Sequence, residues 1–189
     1  PCVTLDGMST PILSERPVVV ITGASGGIGA ALARRVAPTH ALSLVARRHA
    51  ELTHVGEQQT ASTGTPVLTI CADVTSRAEV QRIVRETLAR FGRIDAWVNN
   101  VGQGITRMPS ELTDDDIDDM MRINVKSALY GMQEILPHFQ AVGRGHVVNV
   151  SSMLGRAPFA LQRSAYSAAK HFLNALTANY RTEVQATQP

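Results

Sequence analysis

A short apolar run followed at once by closely spaced glycines constrains the fold of this chain more than any other feature. Residues 18–21 read Val-Val-Val-Ile, and the glycines that follow are Gly23, Gly26, Gly27 and Gly29. A short run of β-branched residues is typical of a buried parallel strand, and an alanine-rich helical pattern follows the glycines. A strand, a glycine turn and a helix N-terminus together form an anion site from backbone N–H groups and the helix dipole. The sequence therefore predicts a phosphate-binding loop.

The spacing of this loop narrows the kind of nucleotide that it can bind. Residues 23–29 read Gly-Ala-Ser-Gly-Gly-Ile-Gly, with Ser25 and Ile28 between the glycines. This is Gly-x-x-x-Gly-x-Gly, not the Gly-x-Gly-x-x-Gly of the common dinucleotide fingerprint. The Gly-Lys-Ser/Thr ending of an ATPase P-loop is missing, which argues against an ATPase. Taken alone, the loop could also be a flexible glycine turn.

Five apolar runs alternate with helical patterns along the chain, which predicts an α/β fold. Such alternation indicates a doubly wound, Rossmann-like parallel sheet with helices on both faces. The predicted strands are 17–21, 41–45, 66–71, 94–99 and 146–151, and the predicted helices are 27–36, 48–60, 76–91, 113–141 with breaks, and 164–184. Residues 1–16 are expected to be an irregular N-terminal tail, and residues 17–189 one dinucleotide-binding and catalytic domain.

Tyr166 and Lys170 form the candidate reactive pair, because residues four apart on a helix share one face. A tyrosine hydroxyl is a poor acid or base at neutral pH. One positive charge at about 4 Å, in an effective dielectric of about 20, supplies roughly 4 kcal/mol of support for a phenolate. Lys170 could therefore make Tyr166 a usable proton donor or acceptor. Such a pair also occurs by chance on many helices, and the upstream glycine loop is what turns it into a hypothesis of catalysis.

Six motifs in order make the chain resemble the single-domain subtype of the short-chain dehydrogenase/reductase family. They span about residues 17–184, nearly the whole chain. They are the glycine loop, an Asp-Val pair at 73–74, Asn-Asn-Val-Gly at 99–102 (Val where the family has Ala), Arg-Ile-Asn-Val at 122–125, Asn-Val-Ser-Ser at 149–152, and the Tyr–Lys pair. The resemblance implies an oxidoreductase that transfers a hydride between a nicotinamide cofactor and a carbonyl or alcohol substrate.

The family's functional positions carry over residue by residue. The implied catalytic residues are Asn124, Ser152, Tyr166 and Lys170. The implied cofactor-binding residues are Gly23, Ser25, Gly26, Gly27, Ile28, Gly29, Arg47, Asp73, Val74, Asn100, Gly102, Tyr166 and Lys170. Tyr166 would transfer the proton, Lys170 would also hold the nicotinamide ribose, Ser152 would bond the carbonyl oxygen, and Asn124 would complete a proton relay.

Two of these assignments leave alternatives open. Ser152 precedes Tyr166 by one position more than is usual in the family, so Ser151 is the second candidate. A serine at a strand end could equally be a turn cap. Asn124 lies inside a helical pattern that disfavours asparagine, and it could instead bend the helix by bonding to the backbone.

The end of the second predicted strand favours NADP over NAD. Ala46 stands where an acidic residue would bind the ribose hydroxyls of NAD, and Arg47 follows it. A guanidinium suits a 2′-phosphate through charge-assisted contacts. Alternatively, Arg47 and Arg48 are solvated residues at a helix start.

The chain is shorter than is usual for the family, and the resemblance stops with the helix at 164–184. The family's last two strands, its Pro-Gly segment and its substrate-covering helices have no counterpart. We therefore expect the C-terminal strands to be missing from this chain, the strand at 146–151 to form an open edge, and the functional protein to extend beyond Pro189. Met153, Leu154, Phe159 and Leu161 are expected to line an apolar pocket near the site.

Composition excludes several other classes of protein. Eighteen basic and sixteen acidic residues leave no strong field, so a nucleic-acid partner is not expected. Two cysteines, with Cys71 expected to be buried on a strand, fit a reducing and cytoplasmic setting. No apolar stretch is long enough for a membrane span.

The acidic run at 114–119 has a better explanation than a metal site. It follows Thr113, a good N-cap, so the carboxylates fall where a helix dipole stabilises them. The histidines show no ligand spacing, and no metal is expected. The partners expected are a small carbonyl or alcohol substrate and further copies of the full-length chain, as a dimer or tetramer. The alternative to an enzyme is a non-catalytic nucleotide-binding or interaction protein with the same fold, although no catalytic residue is lost.

Overall fold

The computed structural model describes residues 14–187, which form a five-stranded parallel sheet between helices. The strands are β1 (Val18–Thr22), β2 (Ala41–Ala46), β3 (Val67–Cys71), β4 (Ala96–Asn99) and β5 (His146–Asn149). The helices are α1 (Gly27–Val36), α2 (His49–Thr63), α3 (Arg77–Phe91), α4 (Asp114–Met121), α5 (Ser127–Val142) and α6 (Ser164–Thr187). A π-helical turn (Arg122–Lys126) joins α4 to α5. Most of the predicted tail, residues 1–13, lies outside the described residues.

The strand order is β3-β2-β1-β4-β5, so the chain reverses its direction of winding at β1. After β1 it moves outward to β2 and β3, then crosses back to β4 and β5 on the other side. Ligands of open parallel sheets bind beyond the carboxyl ends of the strands at such a switch point. The doubly wound, Rossmann-like α/β fold predicted from the sequence is confirmed.

Each face of the sheet is covered by its own pair of helices. On one face, alanines of α1 and Leu52 of α2 pack on β1 and β2. On the other face, Ile83 of α3 and Ile135 of α5 pack around the fully buried Trp97 of β4. Every residue of β1 is buried, as the β-branched run at 18–21 predicts.

Some boundaries differ from the sequence prediction for identifiable reasons. The segment predicted as one broken helix at 113–141 is α4, the π turn and α5, and Thr113 caps α4 in a reciprocal capping box with Asp116. Strand β5 ends at Asn149, two residues early, because the chain turns into a short 3₁₀ segment at Met153–Gly155. Cys71 is half-buried rather than buried, because it ends β3 at the rim of the sheet.

Among residues 14–187, β5 is the edge strand that the sequence predicted. It pairs only with β4, and Val148 is 48% exposed. Helix α6 packs against α4, the π turn and the 3₁₀ segment after β5. This packing brings the start of α6 to the carboxyl ends of β4 and β5.

Candidate active site

A cleft of about 350 Å³ opens above the carboxyl ends of β1, β2 and β4. It contains most of the residues that the sequence assigned to the cofactor. They are Gly23, Ser25, Gly26, Ile28, Arg47, Asp73, Val74, Asn100 and Gly102. Ala46, Arg48 and Ile123 also line it. Its position at the switch point of the sheet is where a dinucleotide is expected to bind.

The glycine loop has a shape that other residues could not adopt. Gly23 has a φ of 68°, in the left-handed region that favours glycine. A Cβ on Gly29 would overlap the Gly23 carbonyl and the Asn100 side chain. No side chain caps the N-terminus of α1, so its first N–H groups remain available beside the cleft. The loop therefore fits a phosphate group through its backbone.

Asn100 holds this loop in place from β4. Its backbone N–H donates to the hydroxyl of Thr22 at 3.0 Å, and its side-chain N–H group donates to the Thr22 carbonyl at 3.0 Å. It also reaches the Gly23 carbonyl at 3.3 Å. Asn100 lines the cleft, and its side-chain amide is committed to the backbone of the glycine loop.

The end of the cleft at β2 carries two arginines where the sequence singled out one. Arg47 is exposed at the end of β2 and lines the cleft. Arg48 reaches over the glycine loop, where its guanidinium donates to the Ser25 hydroxyl at 3.0 Å and to the Ser25 carbonyl at 3.3 Å. Asp73 lies opposite and accepts the backbone N–H of Thr75 at 3.0 Å. Arg48 thus lines the cleft, and it also keeps the alternative position of an exposed residue at the start of α2, where it pairs with Glu51 at 3.1 Å.

Lys170 is the most unusual charged residue of the site, because it is only 3% exposed. Its ammonium donates to the Val150 carbonyl at 3.0 Å and lies 5.7 Å from the centroid of the Tyr166 ring. Burial lowers the pKa of Lys170 below its ordinary value. The structure therefore brings Tyr166 and Lys170 together on one face of α6, as the four-residue spacing predicts.

Asn124 lies in the π turn and faces the same place. It is fully buried, its side-chain N–H group donates to the Gln103 carbonyl at 2.8 Å, and its oxygen accepts the Gln103 N–H at 3.2 Å. A Cβ on Gly102 would stand 3.0 Å from Asn124 Oδ1 and 3.1 Å from Lys170 Nζ. Gly102, which also lines the cleft, therefore separates Asn124 from Lys170 and leaves room for both. Asn124 also donates to the Met120 carbonyl at 3.2 Å, which is the backbone bond of the helix-bending alternative. This bond is compatible with its place beside Lys170.

The two serines after β5 face different surroundings. Ser151 Oγ is buried, has no hydrogen-bond partner among residues 14–187, and stands 2.9 Å from where a Cβ on Gly155 would be. Ser152 caps the 3₁₀ turn, and its Oγ accepts the Leu154 N–H at 3.2 Å. Ser152 thus makes the turn-cap contact that was the alternative to a catalytic role. Ser151 packs inward beside α6.

Two further groups of predicted residues do not line the cleft. Gly27, which has a φ of 54°, is not among the residues lining the cleft, and neither are Gly29, Tyr166 and Lys170. Met153, Phe159 and Leu161 are 75%, 68% and 67% exposed, so they do not enclose a pocket within the described chain.

In the part of the chain that the structure describes, there is no group of three or more metal-ligating side chains. No helix between residues 14 and 187 has the length and hydropathy to cross a membrane.

Comparison with known proteins gives consistent matches. The family model described as short chain dehydrogenase matches residues 17–188. An NADP-dependent 3-hydroxy acid dehydrogenase of Salmonella typhi is 31% identical over 172 residues, which is 90% of this chain and 67% of that protein. A levodione reductase of Leifsonia aquatica is 38% identical over 170 residues, which is 88% of this chain and 63% of the relative.

Solved structures agree in architecture. A short-chain dehydrogenase/reductase from Burkholderia phymatum in complex with NAD superposes with a TM-score of 0.87 at 26% identity. The match covers 91% of this chain and 61% of that one. The chain thus spans roughly two thirds of the length of these relatives, and they include proteins whose names specify NADP and NAD.

Proposed function

Because the chain belongs to the short-chain dehydrogenase/reductase family of oxidoreductases, we propose that it interconverts a carbonyl and an alcohol with NADPH as the preferred cofactor. The observation that carries this proposal is the buried Lys170 beside Tyr166, next to a cleft that fits a dinucleotide. A lysine is rarely buried without a functional or ionic reason.

The cleft fits the cofactor on structural grounds. The uncapped N-terminus of α1 and the tight glycine turn offer backbone N–H groups to a pyrophosphate. The chemistry that the cofactor supplies when bound is transfer of a hydride to the carbonyl carbon.

Residues of α6 and the 3₁₀ turn would handle the proton. Tyr166 donates its phenolic proton to the carbonyl oxygen as that oxygen becomes an alcohol. Lys170, held by the Val150 carbonyl, stabilises the negative charge left on the phenolic oxygen. Ser152 offers a hydroxyl at the carboxyl end of β5, and Asn124 fixes the loop at Gln103 beside Lys170.

The preference for NADPH is supported by charge at the end of β2. Ala46 offers no carboxylate to a ribose, and Arg47 and Arg48 both line the cleft next to it. Arg47→Ala should reduce NADPH affinity more than NADH affinity, because only NADPH carries the 2′-phosphate. Fluorescence titration of both cofactors measures this, and equal affinities in the unmodified protein would contradict the preference.

The proton role is tested with Tyr166→Phe, which keeps the ring. We expect turnover of a ketone panel to fall by about 10²- to 10⁴-fold, the usual contribution of a general acid, with NADPH affinity nearly unchanged. Lys170→Ala should reduce both. Tyr180→Phe is the matched control, because Tyr180 lies on the same helix and donates to the Met132 carbonyl away from the cleft.

The alternative of a non-catalytic nucleotide-binding protein gives a different result. It predicts NADPH binding without turnover of any ketone, in the unmodified chain as in Tyr166→Phe. Retention of most activity by Tyr166→Phe would instead show that another group transfers the proton.

A further inference from the structure

A positively charged side chain with no acidic partner lies beside Tyr166. Arg163 precedes Tyr166 by three positions, so its side chain is on the same side of the helical segment that continues to Lys170. Arg163 is half-buried, and it forms no ion pair with any carboxylate between residues 14 and 187. The only described hydrogen bond of its side chain is a long one of 3.5 Å, to the Ile105 carbonyl.

The loop after β4 shows how close Arg163 is to the tyrosine. A Cβ on Gly104 would overlap Arg163 Nη1 and would stand 3.7 Å from two ring carbons of Tyr166. The guanidinium and the ring therefore approach the same point above Gly104. Two residues earlier, Gly102 occupies the equivalent place between Asn124 and Lys170. From Gly102 to Gly104, the loop thus passes first Asn124 and Lys170 and then Tyr166 and Arg163.

Arg107, an arginine of the loop after β4, provides a contrast. Arg107 forms an ion pair with Asp116 of α4 at 3.0 Å, so its charge is already matched. Its backbone N–H donates to the Gln162 carbonyl at 3.0 Å, which fixes the loop against the segment that carries Arg163. The loop is therefore held without help from Arg163, whose charge is left available.

We propose that Arg163 binds the carboxylate of the substrate, and that the substrate is an oxo acid or the corresponding hydroxy acid. This inference rests on the proposed oxidoreductase function and specifies the substrate class of the same site. The substrate carbonyl lies at Tyr166 while its carboxylate lies on the Arg163 side of the ring. An arginine matches a carboxylate with two parallel N–H donors, which fixes orientation as well as affinity.

The test compares oxo acids with their methyl esters, which differ in charge at one end. Suitable pairs are pyruvate, 3-oxobutanoate and 4-oxopentanoate with the corresponding esters, so that the distance between carbonyl and carboxylate varies. We measure kcat/KM with NADPH, and in parallel the binding of each compound to the protein–NADPH complex by fluorescence titration. For at least one pair, the unmodified chain should favour the acid by about tenfold or more, the usual value of a charge-assisted hydrogen bond.

Variants test the charge of Arg163. In Arg163→Gln, which removes the charge but keeps a polar side chain, the ratio of acid to ester should fall to about one, and in Arg163→Lys part of the preference should remain. A purely structural role would lower the values for acid and ester together and leave their ratio unchanged. Arg181→Gln is the matched control, because Arg181 is an exposed arginine of α6, the helix that begins directly after Arg163.

The outcomes distinguish this inference from the function on which it rests. Turnover of esters and acids at similar rates, or a preference that Arg163→Gln retains, overturns the inference and leaves the oxidoreductase function standing. Absence of any turnover contradicts the proposed function. In that case the binding titration still decides the inference: selective binding of an acid that Arg163→Gln abolishes supports it, and equal binding of acid and ester overturns it.

Discussion

Gly131 lies where the helix and the sheet approach too closely for any side chain. It is buried in α5, and a Cβ there would come closer than 3.0 Å to Asn99 Oδ1 and Trp97 Nε1. These two atoms are hydrogen-bonded to each other at 2.7 Å. Asn99 also donates to Asn149 Oδ1 at 2.8 Å, which links β4 to β5. Gly131→Ala therefore tests a buried polar network directly.

Opposing effects determine how much Gly131→Ala changes the free energy of unfolding. Alanine is favoured over glycine inside a helix by roughly 1 kcal/mol. Overpacking of a core costs about 1–3 kcal/mol, and a buried donor such as Trp97 Nε1 left without a partner costs about 1–3 kcal/mol more. The free energy of unfolding should therefore fall by about 1–5 kcal/mol, and the central value of about 3 kcal/mol lowers Tm by about 6–12 °C in a chain of this size.

The assay uses a natural reporter. Trp97 is the single tryptophan of the chain and is fully buried, so its fluorescence follows unfolding in urea. Gly56→Ala in α2 is the comparison variant, because its Cβ would contact only methyl groups, those of Thr69 and Val67, and no hydrogen-bonded atom. We expect Gly56→Ala to lower stability by about 0–2 kcal/mol, less than Gly131→Ala. If Gly131→Ala is as stable as the unmodified chain, the network tolerates displacement and the reasoning is wrong.

Three further predictions concern the buried lysine, the glycine loop and the sheet edge. Because burial lowers the pKa of Lys170, the unfolded chain binds more protons than the folded one between that lowered pKa and the ordinary value of 10.5. The free energy of unfolding should therefore rise with pH across this window, and Lys170→Met should remove that slope in urea titrations at several pH values; identical slopes would contradict it. Gly29→Ala should weaken NADPH binding at least about tenfold, because its methyl group would displace Gly23 and Asn100, and an unchanged affinity in a fluorescence titration would count against the loop assignment. The 189-residue chain expressed alone should self-associate through the open edge of β5, and Val148→Lys should reduce this association in sedimentation experiments; a monomeric unmodified chain would refute it.

The sequence predicted those parts of the site that depend on local patterns. The strand, turn and helix around Gly23 and the spacing of Tyr166 and Lys170 are each contained in a few neighbouring residues. Their backbone conformation or helical period places the groups without further information. The position of the cleft followed equally well, because parallel strands present all their carboxyl ends at one edge of the sheet.

Contacts between distant segments could not be predicted in the same way. Arg48 and Ser25 are separated by 23 positions, and their hydrogen bond depends on how α2 starts relative to the glycine loop. The three-residue spacing predicts that Arg163 lies on the same side as Tyr166. That Arg163 has no acidic partner could not be predicted, because it depends on Asp116 being paired with Arg107. Side-chain direction at the end of β5 likewise required the turn at Ser152 to be known.

The π turn at Arg122–Lys126 has a consequence for how this site could be lost. A π turn contains one residue more than the α-helical turns around it. Deletion of Ile123 would restore a regular helix. Because the π turn takes up its extra residue locally, α4 and α5 would keep nearly the same relative orientation, and the residues of the turn itself would change position. Asn124 would then no longer face Gln103, although helix content would be almost unchanged. The extra residue of the π turn therefore determines the direction of the Asn124 side chain, and a single deletion can abolish its contact with Gln103 while the fold is kept.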